Sequence, residues 1–196
     1  PKENILYILE ISSFQLEFIS SFRPFMAIYT NISEDHLDRH HSMKEYVRMK
    51  KRLSKNFTDQ NTVIFNSDDE ILMSIFNKTK FKTRTYGIKS LNHTFFVKSN
   101  SIYHKTSGDF VLHVDDLNIK GEHNILNCLA AATCAEAFGI RIEKIRSALK
   151  SFKGVPHRIE YVSTIEEVDY VNDSKATNLD SVQVAMKAFK RPIILL

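Results

Sequence analysis

A chain of 196 residues, 43% of them hydrophobic, can bury one sizeable core and part of a second. Its net charge of +4 comes mostly from scattered lysines, and with little aromatic interleaving the balance fits an anionic small molecule such as a nucleotide better than a nucleic acid. Cys128 and Cys134 share an alanine-rich segment at a spacing that suits neither a disulfide nor a zinc site, which points to free thiols in a reducing cytoplasm, and no run approaches the length of a membrane span.

In chain order, the apolar runs Ile5 to Glu10 and Met26 to Asn31 read as buried strands. A basic helix from Met43 to Phe57 follows, then a strand at Thr62 to Asn66 and a helix from Asp68 to Asn77. This alternation predicts an α/β fold with a mainly parallel sheet flanked by helices. Between about Lys82 and Lys120 the character changes to short β pieces, Phe95 to Lys98, Ile102 to Lys105 and Phe110 to Val114, expected as a small appended hairpin region. An alanine-rich helix from Asn124 to Phe138 ends at Gly139 as its cap, and another runs from Ile142 to Phe152. Gly154 and Pro156 punctuate the chain. Beyond them come strands Arg158 to Val162 and Asp169 to Asn172, a helix from Asn178 to Phe189, and an apolar run from Pro192 expected as a strand. These read as the beginning of a second, Rossmann-like α/β domain, so the expected domains are 1–154 and 155–196. Strand-like runs at both ends, with no initiator methionine, read as an internal piece of a longer protein.

The basic helix holds an anomaly. Met43, Tyr46, Val47, Leu53, Ser54 and Phe57 wind onto one stripe, Ser42 and Glu45 form a capping-box start, and Lys50 falls inside the stripe while Arg48, Lys51, Arg52 and Lys55 point outward or to its flanks. A lysine there either snorkels its ammonium to water, or becomes a neutral amine open to carbamylation by carbon dioxide, or meets carboxylates.

Sites in parallel sheets open at the carboxyl ends of strands, which selects three segments. Glu10 ends the first strand and precedes Ser12, Ser13 and Gln15; taken alone, a glutamate there is more often a solvated or helix-capping acid than a metal ligand. The second, Asn31 to His40, packs Glu34, Asp35, His36, Asp38, Arg39 and His40 together. Hard oxygen donors with one imidazole suit magnesium or manganese, the alternative being an acidic helix start. The third, Asp173, Ser174, Lys175, Ala176, Thr177 and Asn178, could clamp a carboxylate or phosphate before a helix that Thr177 or Asn178 caps. Asn124 and Asn127, one turn apart, and Arg158 add polar groups suited to an adenine edge or ribose.

Taken in order, LEISSFQLE (9–17), NISEDHLDRH (31–40), the spacing of Tyr46 and Lys50, GEHNILN (121–127), PHRIE (156–160) and NDSKATN (172–178) make the chain resemble the Mur ligase family, and SSFQLE with NDSKATN its D-glutamate-adding members. The resemblance implies a central ATP-binding domain at 1–154 and the start of an amino-acid-binding domain at 155–196. It also implies ATP-driven amide formation between UDP-N-acetylmuramoyl-L-alanine and D-glutamate through an acyl phosphate, by a monomeric cytoplasmic bacterial enzyme of peptidoglycan synthesis. Residue by residue, it implies that Glu10 and His36 bind Mg2+ and that Lys50, rather than Lys51, is carbamylated and holds a second Mg2+. By the same resemblance His36 serves as a ligand and not as a base, Asn124, Asn127, Arg158 and Asp173 bind the nucleotide, Ser12 and Gln15 contact substrate, Lys175 stands near the transferred phosphate, and Thr177 near the D-glutamate carboxylate. The five glycines form no GxxxxGK[ST] loop, so the phosphate loop of such a ligase is expected upstream and the fragment alone is expected to be inactive. Rival readings are another Mur or folylpolyglutamate-type amide ligase, a metal hydrolase with a carbamylated-lysine bridge, which needs more histidines at strand ends, and a basic nucleic-acid module on the Arg48 to Lys55 face.

Overall fold

The computed structural model describes residues 5–177 and 179–196. The chain forms two compact units, residues 1–85 and 86–196.

The first unit begins with a short helix, Ser13–Leu16 (α1), then strand Met26–Tyr29 (β1), helices Leu37–His40 (α2) and Met43–Lys51 (α3), strand Thr62–Asn66 (β2), helix Glu70–Phe76 (α4) and strand Lys82–Tyr86 (β3). The sheet order is β1-β2-β3, and β1 runs parallel to β2 with Ala27 opposite Val63 and Ile28 opposite Ile64. All five residues of β2 are buried, as its central place demands. The expected stripe of α3 faces the core: Tyr46 is buried with Tyr29, Val63, Phe65, Leu72 and Phe76, and Met43, Val47, Leu53 and Phe57 pack against them.

Several details differ from the expectation. Ile5 to Glu10 is not a strand; a strand exists only through its ladder, no described segment pairs with this run, and its side chains stay exposed, Ile8 at 88%. The basic helix ends at Lys51 and tightens into a 3₁₀ turn, Arg52–Ser54, where the Ser54 hydroxyl donates back to the Lys51 carbonyl at 3.1 Å. Only half of the capping box forms. Ser42 Oγ accepts from the Glu45 amide, but the Glu45 carboxylate turns to Arg48 instead.

In the second unit, strands Phe95–Lys98 (β4), Ser101–His104 (β5) and Phe110–His113 (β6) form an antiparallel sheet in that order. Helices Glu122–Ala137 (α5) and Ile142–Ser151 (α6) pack on it, burying Phe95, Ile102, Val111, Leu112, Leu129, Ile145 and Leu149. Strands Glu160–Ile165 (β7) and Val168–Asn172 (β8) follow, longer than expected and paired antiparallel, and helix Leu179–Lys187 (α7) comes last. The expected start of that helix at Asn178 lies outside the described residues. The terminal run from Pro192 is exposed coil, again for want of a ladder partner among the described residues. Cys128 and Cys134 are free thiols, and no helix of the described residues is long and apolar enough to cross a membrane.

Candidate functional site

The residues expected at the site divide between the units. In the first, three short elements converge because each is tied to the next. Arg39 of α2 pairs with Glu17 beyond α1 at 2.7 Å, and His40 Nε2 lies 2.9 Å from the buried Ser13 hydroxyl. The Phe14 ring stacks on His40 with centroids 5.6 Å apart and tilts against His36 at 4.9 Å. Tyr46 of α3 meets His40 at 5.4 Å and His36 edge-on at 6.5 Å.

Lys50 stands one turn beyond Tyr46, its Nζ 5.3 Å from the centre of that ring. Burial pushes its pKa down, while the carboxylates of Asp35 and Glu10 pull it back up. Burial is the larger effect, so the net shift is downward, toward the neutral amine. Tyr29 secures the backbone here: its hydroxyl donates to the Lys50 carbonyl at 3.3 Å. Lys51, by contrast, is exposed.

His36 occupies the left-handed region, φ 54°, at the start of α2, where its amide donates to Asp35 Oδ1 and its Nε2 lies 3.5 Å from Asp35 Oδ2. Glu10, Asp35, His36 and Lys50 therefore form one electrostatic neighbourhood. Among the described residues no three His, Cys, Asp or Glu side chains gather closely enough to hold a metal unaided. The donor chemistry suits a hard divalent cation only if Lys50 becomes anionic, since an ammonium would repel the ion. Asp35, the first carboxylate acting on Lys50, was not singled out by sequence; its only signal was the acid density of the segment.

Ser12 and Gln15 serve first as a helix cap. The Ser12 amide donates to Gln15 Oε1 at 2.8 Å and the Gln15 amide to Ser12 Oγ at 3.3 Å, a complete capping box for α1. Glu10 and Gln15 line a cavity of about 190 Å³ with Leu9, Ile11, Ile19 and Phe22. A larger one, about 370 Å³, lies among Glu17, Arg39, His40, His41, Glu45, Met49 and Arg52, and of the candidate segment Asn31 to His40 only Arg39 and His40 line it.

In the second unit, Asn127 Nδ2 approaches Asn124 Oδ1 at 3.5 Å, and Asn124 Nδ2 donates to the Lys120 carbonyl at 2.8 Å, which places the pair on one side of α5. Arg158 is exposed between two left-handed residues, His157 (φ 65°) and Ile159 (φ 47°). That loop is laced to the segment after β8: the Ile159 amide donates to Asp173 Oδ1 at 3.1 Å, the Lys175 amide to the His157 carbonyl at 3.0 Å, and Asn172 Nδ2 meets His157 Nδ1 at 2.9 Å. Lys175 and Thr177 are exposed. His123, in the first turn of α5, is half-buried; burial and then Arg158 push its pKa down, and Asp173 pulls it up.

Residues 2–135 match the family model described as the Mur ligase middle domain. Over its whole length the chain is 40% identical to a UDP-N-acetylmuramoylalanine–D-glutamate ligase of Bacillus mycoides (strain KBAB4), of which it spans 43%. A ligase of the same name from Clostridioides difficile (strain 630) is 40% identical over 99% of the chain and 44% of its own length. Among solved structures, MurF from Acinetobacter baumannii superposes with a TM-score of 0.70 at 21% identity, over 90% of this chain and 39% of that one, which establishes the likeness of fold. A match across most of the chain, with the charged neighbourhood around Lys50 inside it, places this protein in the Mur ligase family, with residues 2–135 corresponding to that family's middle domain.

Proposed function

We propose that the full-length protein is an ATP-dependent amide ligase that joins D-glutamate to UDP-N-acetylmuramoyl-L-alanine in peptidoglycan precursor synthesis. The identity to relatives of that name supports the substrates, and the chain spans less than half of their length. The observation that carries the reading is Lys50, half-buried beside Tyr46 and under the influence of Asp35 and Glu10. A lysine whose burial favours the neutral amine adds carbon dioxide readily: its nitrogen bonds the carbon, a proton leaves to water, and a carbamate replaces the ammonium.

On this reading Glu10, His36 and carbamylated Lys50 hold two Mg2+ ions, which when bound supply positive charge against the phosphates of ATP. Asn124, Asn127, Arg158 and Asp173 hold the nucleotide. Lys175 neutralises charge on the transferred phosphate, and Thr177 orients the D-glutamate carboxylate. Ser12 and Gln15 act on substrate through the rigid turn that their mutual cap makes. The alanyl carboxylate attacks the γ-phosphorus with loss of ADP, and the D-glutamate amine then displaces phosphate from the acyl phosphate. We assign the catalytic parts to a central domain at 1–154 and the start of an amino-acid-binding domain at 155–196, in a monomeric cytoplasmic enzyme.

The test is phosphate release from ATP by the full-length protein with UDP-N-acetylmuramoyl-L-alanine and each candidate amino acid, for native and Lys50→Ala protein. Release strictly dependent on D-glutamate, lost at least about a thousandfold in the variant and partly restored by a short-chain carboxylate, is expected, since a metal-site group acting on transition-state charge contributes on the order of several kcal/mol. Dependence on a different amino acid would reassign the substrate, and no release with any would refute the ligase. The 196-residue piece alone is expected to show no turnover.

A further inference from the structure

The helix that Ser12 and Gln15 cap, α1, has four residues, far below the length of about 12 at which an isolated helix becomes even marginal in water. Its hold on the core is thin. Ser13 and Leu16 are its buried residues, and Phe18 just beyond it is 83% exposed. The cavity of about 370 Å³ beside it is lined by Glu17 from the end of α1 and by Met49 and Arg52 from α3 and its continuation, so close packing does not fix the two helices against each other there.

What fixes α1 to α3 is polar and comes from one side chain. Arg52, in the 3₁₀ turn that continues α3, reaches back across 36 residues of sequence. Its Nε donates to the Leu16 carbonyl at 2.7 Å, and its Nη2 donates to the Ile19 carbonyl at 2.9 Å and to the Glu17 carbonyl at 3.4 Å. The Leu16 carbonyl is one that a helix ending there leaves without an intrahelical donor, so the guanidinium closes the end of α1 as the Ser12–Gln15 box closes its start. These bonds are charge-assisted and their donor is half-buried, whereas the guanidinium of the Arg39–Glu17 pair, which ties α1 to α2, is 56% exposed and contributes less. Arginine suits the task. Three carbonyls are met by two nitrogens of one rigid planar fork, which the point charge of a lysine ammonium cannot reproduce.

Lys50 stands two residues before Arg52 on the same helical run, and its carbonyl is held at 3.3 Å by the Tyr29 hydroxyl. A continuous path of backbone and hydrogen bonds therefore leads from Lys50 through Arg52 to the turn of Ser12 and Gln15. We propose that Arg52 is a positioning residue for the nucleotide-sugar substrate, a role that rests on the reading of Ser12 and Gln15 as substrate contacts. Its guanidinium sets the distance between their turn and Lys50, and with it the alignment of the alanyl carboxylate. Arg52 acts through the carbonyls at the end of α1, not by contact with the substrate. Asn56 provides a control: its Nδ2 donates to the Ser20 and Phe22 carbonyls at 2.7 and 3.0 Å, holding the next stretch of the same loop without reaching α1.

The experiment measures kcat and KM for UDP-N-acetylmuramoyl-L-alanine, ADP affinity by calorimetry and the thermal midpoint in the full-length protein, for native, Arg52→Gln, Arg52→Lys, Asn56→Ala and Gln15→Ala. Arg52→Gln is expected to lower kcat/KM for the nucleotide sugar about thirtyfold, as misplaced reacting groups do, with ADP affinity within about twofold of native. Arg52→Lys, which keeps the charge but not the fork, is expected to lose about tenfold. Asn56→Ala is expected to lower the thermal midpoint by the loss of two bonds and to keep kcat/KM within about twofold. Native kcat/KM in Arg52→Gln, a loss shared equally with ADP affinity, or losses in Arg52→Gln and Asn56→Ala that both follow the fall in thermal midpoint would overturn the positioning role and leave Arg52 as a structural tie. Should Arg52→Gln not fold, Arg52→Lys takes its place with the same outcomes. Gln15→Ala separates the two levels: if its KM for the nucleotide sugar is native, the substrate reading of Ser12 and Gln15 falls and the positioning role with it, whereas a weakened Gln15→Ala beside native-like Arg52 variants overturns the positioning role alone.

Discussion

Lys50 and Gly121 are both residues that their helices would not choose. An amphipathic stripe packs better with an apolar side chain, and a helix start is more stable with a capping one, so each marks a place where local stability yields to a neighbour's requirement. At Gly121 the requirement can be measured. Gly121→Ala meets two penalties: the backbone at φ 97° and ψ 152°, a region essentially reserved to glycine, about 1 kcal/mol or more for a residue with a Cβ, and the collision with the His123 ring, about another 1 kcal/mol after the ring shifts. Thermal or denaturant unfolding is therefore expected to show a loss of about 2 kcal/mol. In a His123→Ala background the collision disappears and only the backbone penalty remains, so the coupling between the two substitutions isolates the ring contact. Equal losses in both backgrounds would mean that φ alone selects glycine.

At the scale of elements, the two tight hairpins show what turn chemistry hides from a sequence. Ser99 and Asn100 (φ 47° and 58°) join β4 to β5, and Glu166 and Glu167 (φ 49° and 66°) join β7 to β8, each pair with the positive φ values of a type I′ turn. Asn100 suits its place. Glu166 and Glu167 do not: two adjacent carboxylates with long side chains are held where Asn-Gly is preferred. The double substitution Glu166→Asn and Glu167→Gly is expected to stabilise the hairpin by about 1 kcal/mol, raising Tm by about 2–4 °C, with slower amide exchange in the β7–β8 ladder. An unchanged Tm and unchanged exchange would refute it. The same pair explains why β7 and β8 read from sequence as separate strands of a new alternation: with no Gly or Asn between them, nothing local announced a hairpin. Where periodicity and caps are local, the elements were legible. The stripe of α3, the buried run of β2 and the end of α5 at Gly139 follow from neighbouring residues alone. Ile5 to Glu10 and the run from Pro192 failed because an apolar run states only that a segment can be buried, while its pairing partner is a non-local fact. The site divides in the same way. Lys50 stands out in its stripe and His36 in its acidic run, and Glu10 only through the family resemblance, whereas the action of Asp35 on Lys50, and of Arg158 and Asp173 on His123, links segments that only the fold brings near.

Among the described residues burial raises the pKa of Tyr29 and Tyr46 in the first unit and of Cys128 and Cys134 in the second, and the largest of these shifts, at Tyr29 and Cys128, bear most on the response to alkali. In the first unit the Tyr29 hydroxyl, packed against Phe76 with ring centroids 4.7 Å apart, is pushed up from 10.0 to about 12, chiefly by burial, with bonds to Ser54 partly opposing the shift. In the second, burial pushes the Cys128 thiol up from 9.0 to about 11. Both groups hold their proton more tightly folded than unfolded. The unfolded chain therefore loses protons first as pH rises, so stability is full below pH 9 and drains away between about 9 and 11 through Cys128 and between about 10 and 12 through Tyr29. For Tyr29 the loss amounts to about 3 kcal/mol. Tyr29→Phe makes the sign testable. At pH 7 it removes the hydroxyl that bonds Ser54 and the Lys50 carbonyl, each at 3.3 Å, and is expected to destabilise by about 1 kcal/mol; with nothing left to ionise there, its stability then falls less than that of native protein, and the two curves cross between pH 10 and 12. Amide exchange at Val63 and Ile64, buried in the strand beside Tyr29, reports this unit, and exchange at Leu129, next to Cys128 on α5, reports the other. Cys128→Ala is expected to flatten the decline at Leu129 between pH 9 and 11 and leave the curve at Val63 where it was. A decline at both probes that neither substitution alters would show that the alkaline loss comes from accumulated net charge and not from these two buried acids.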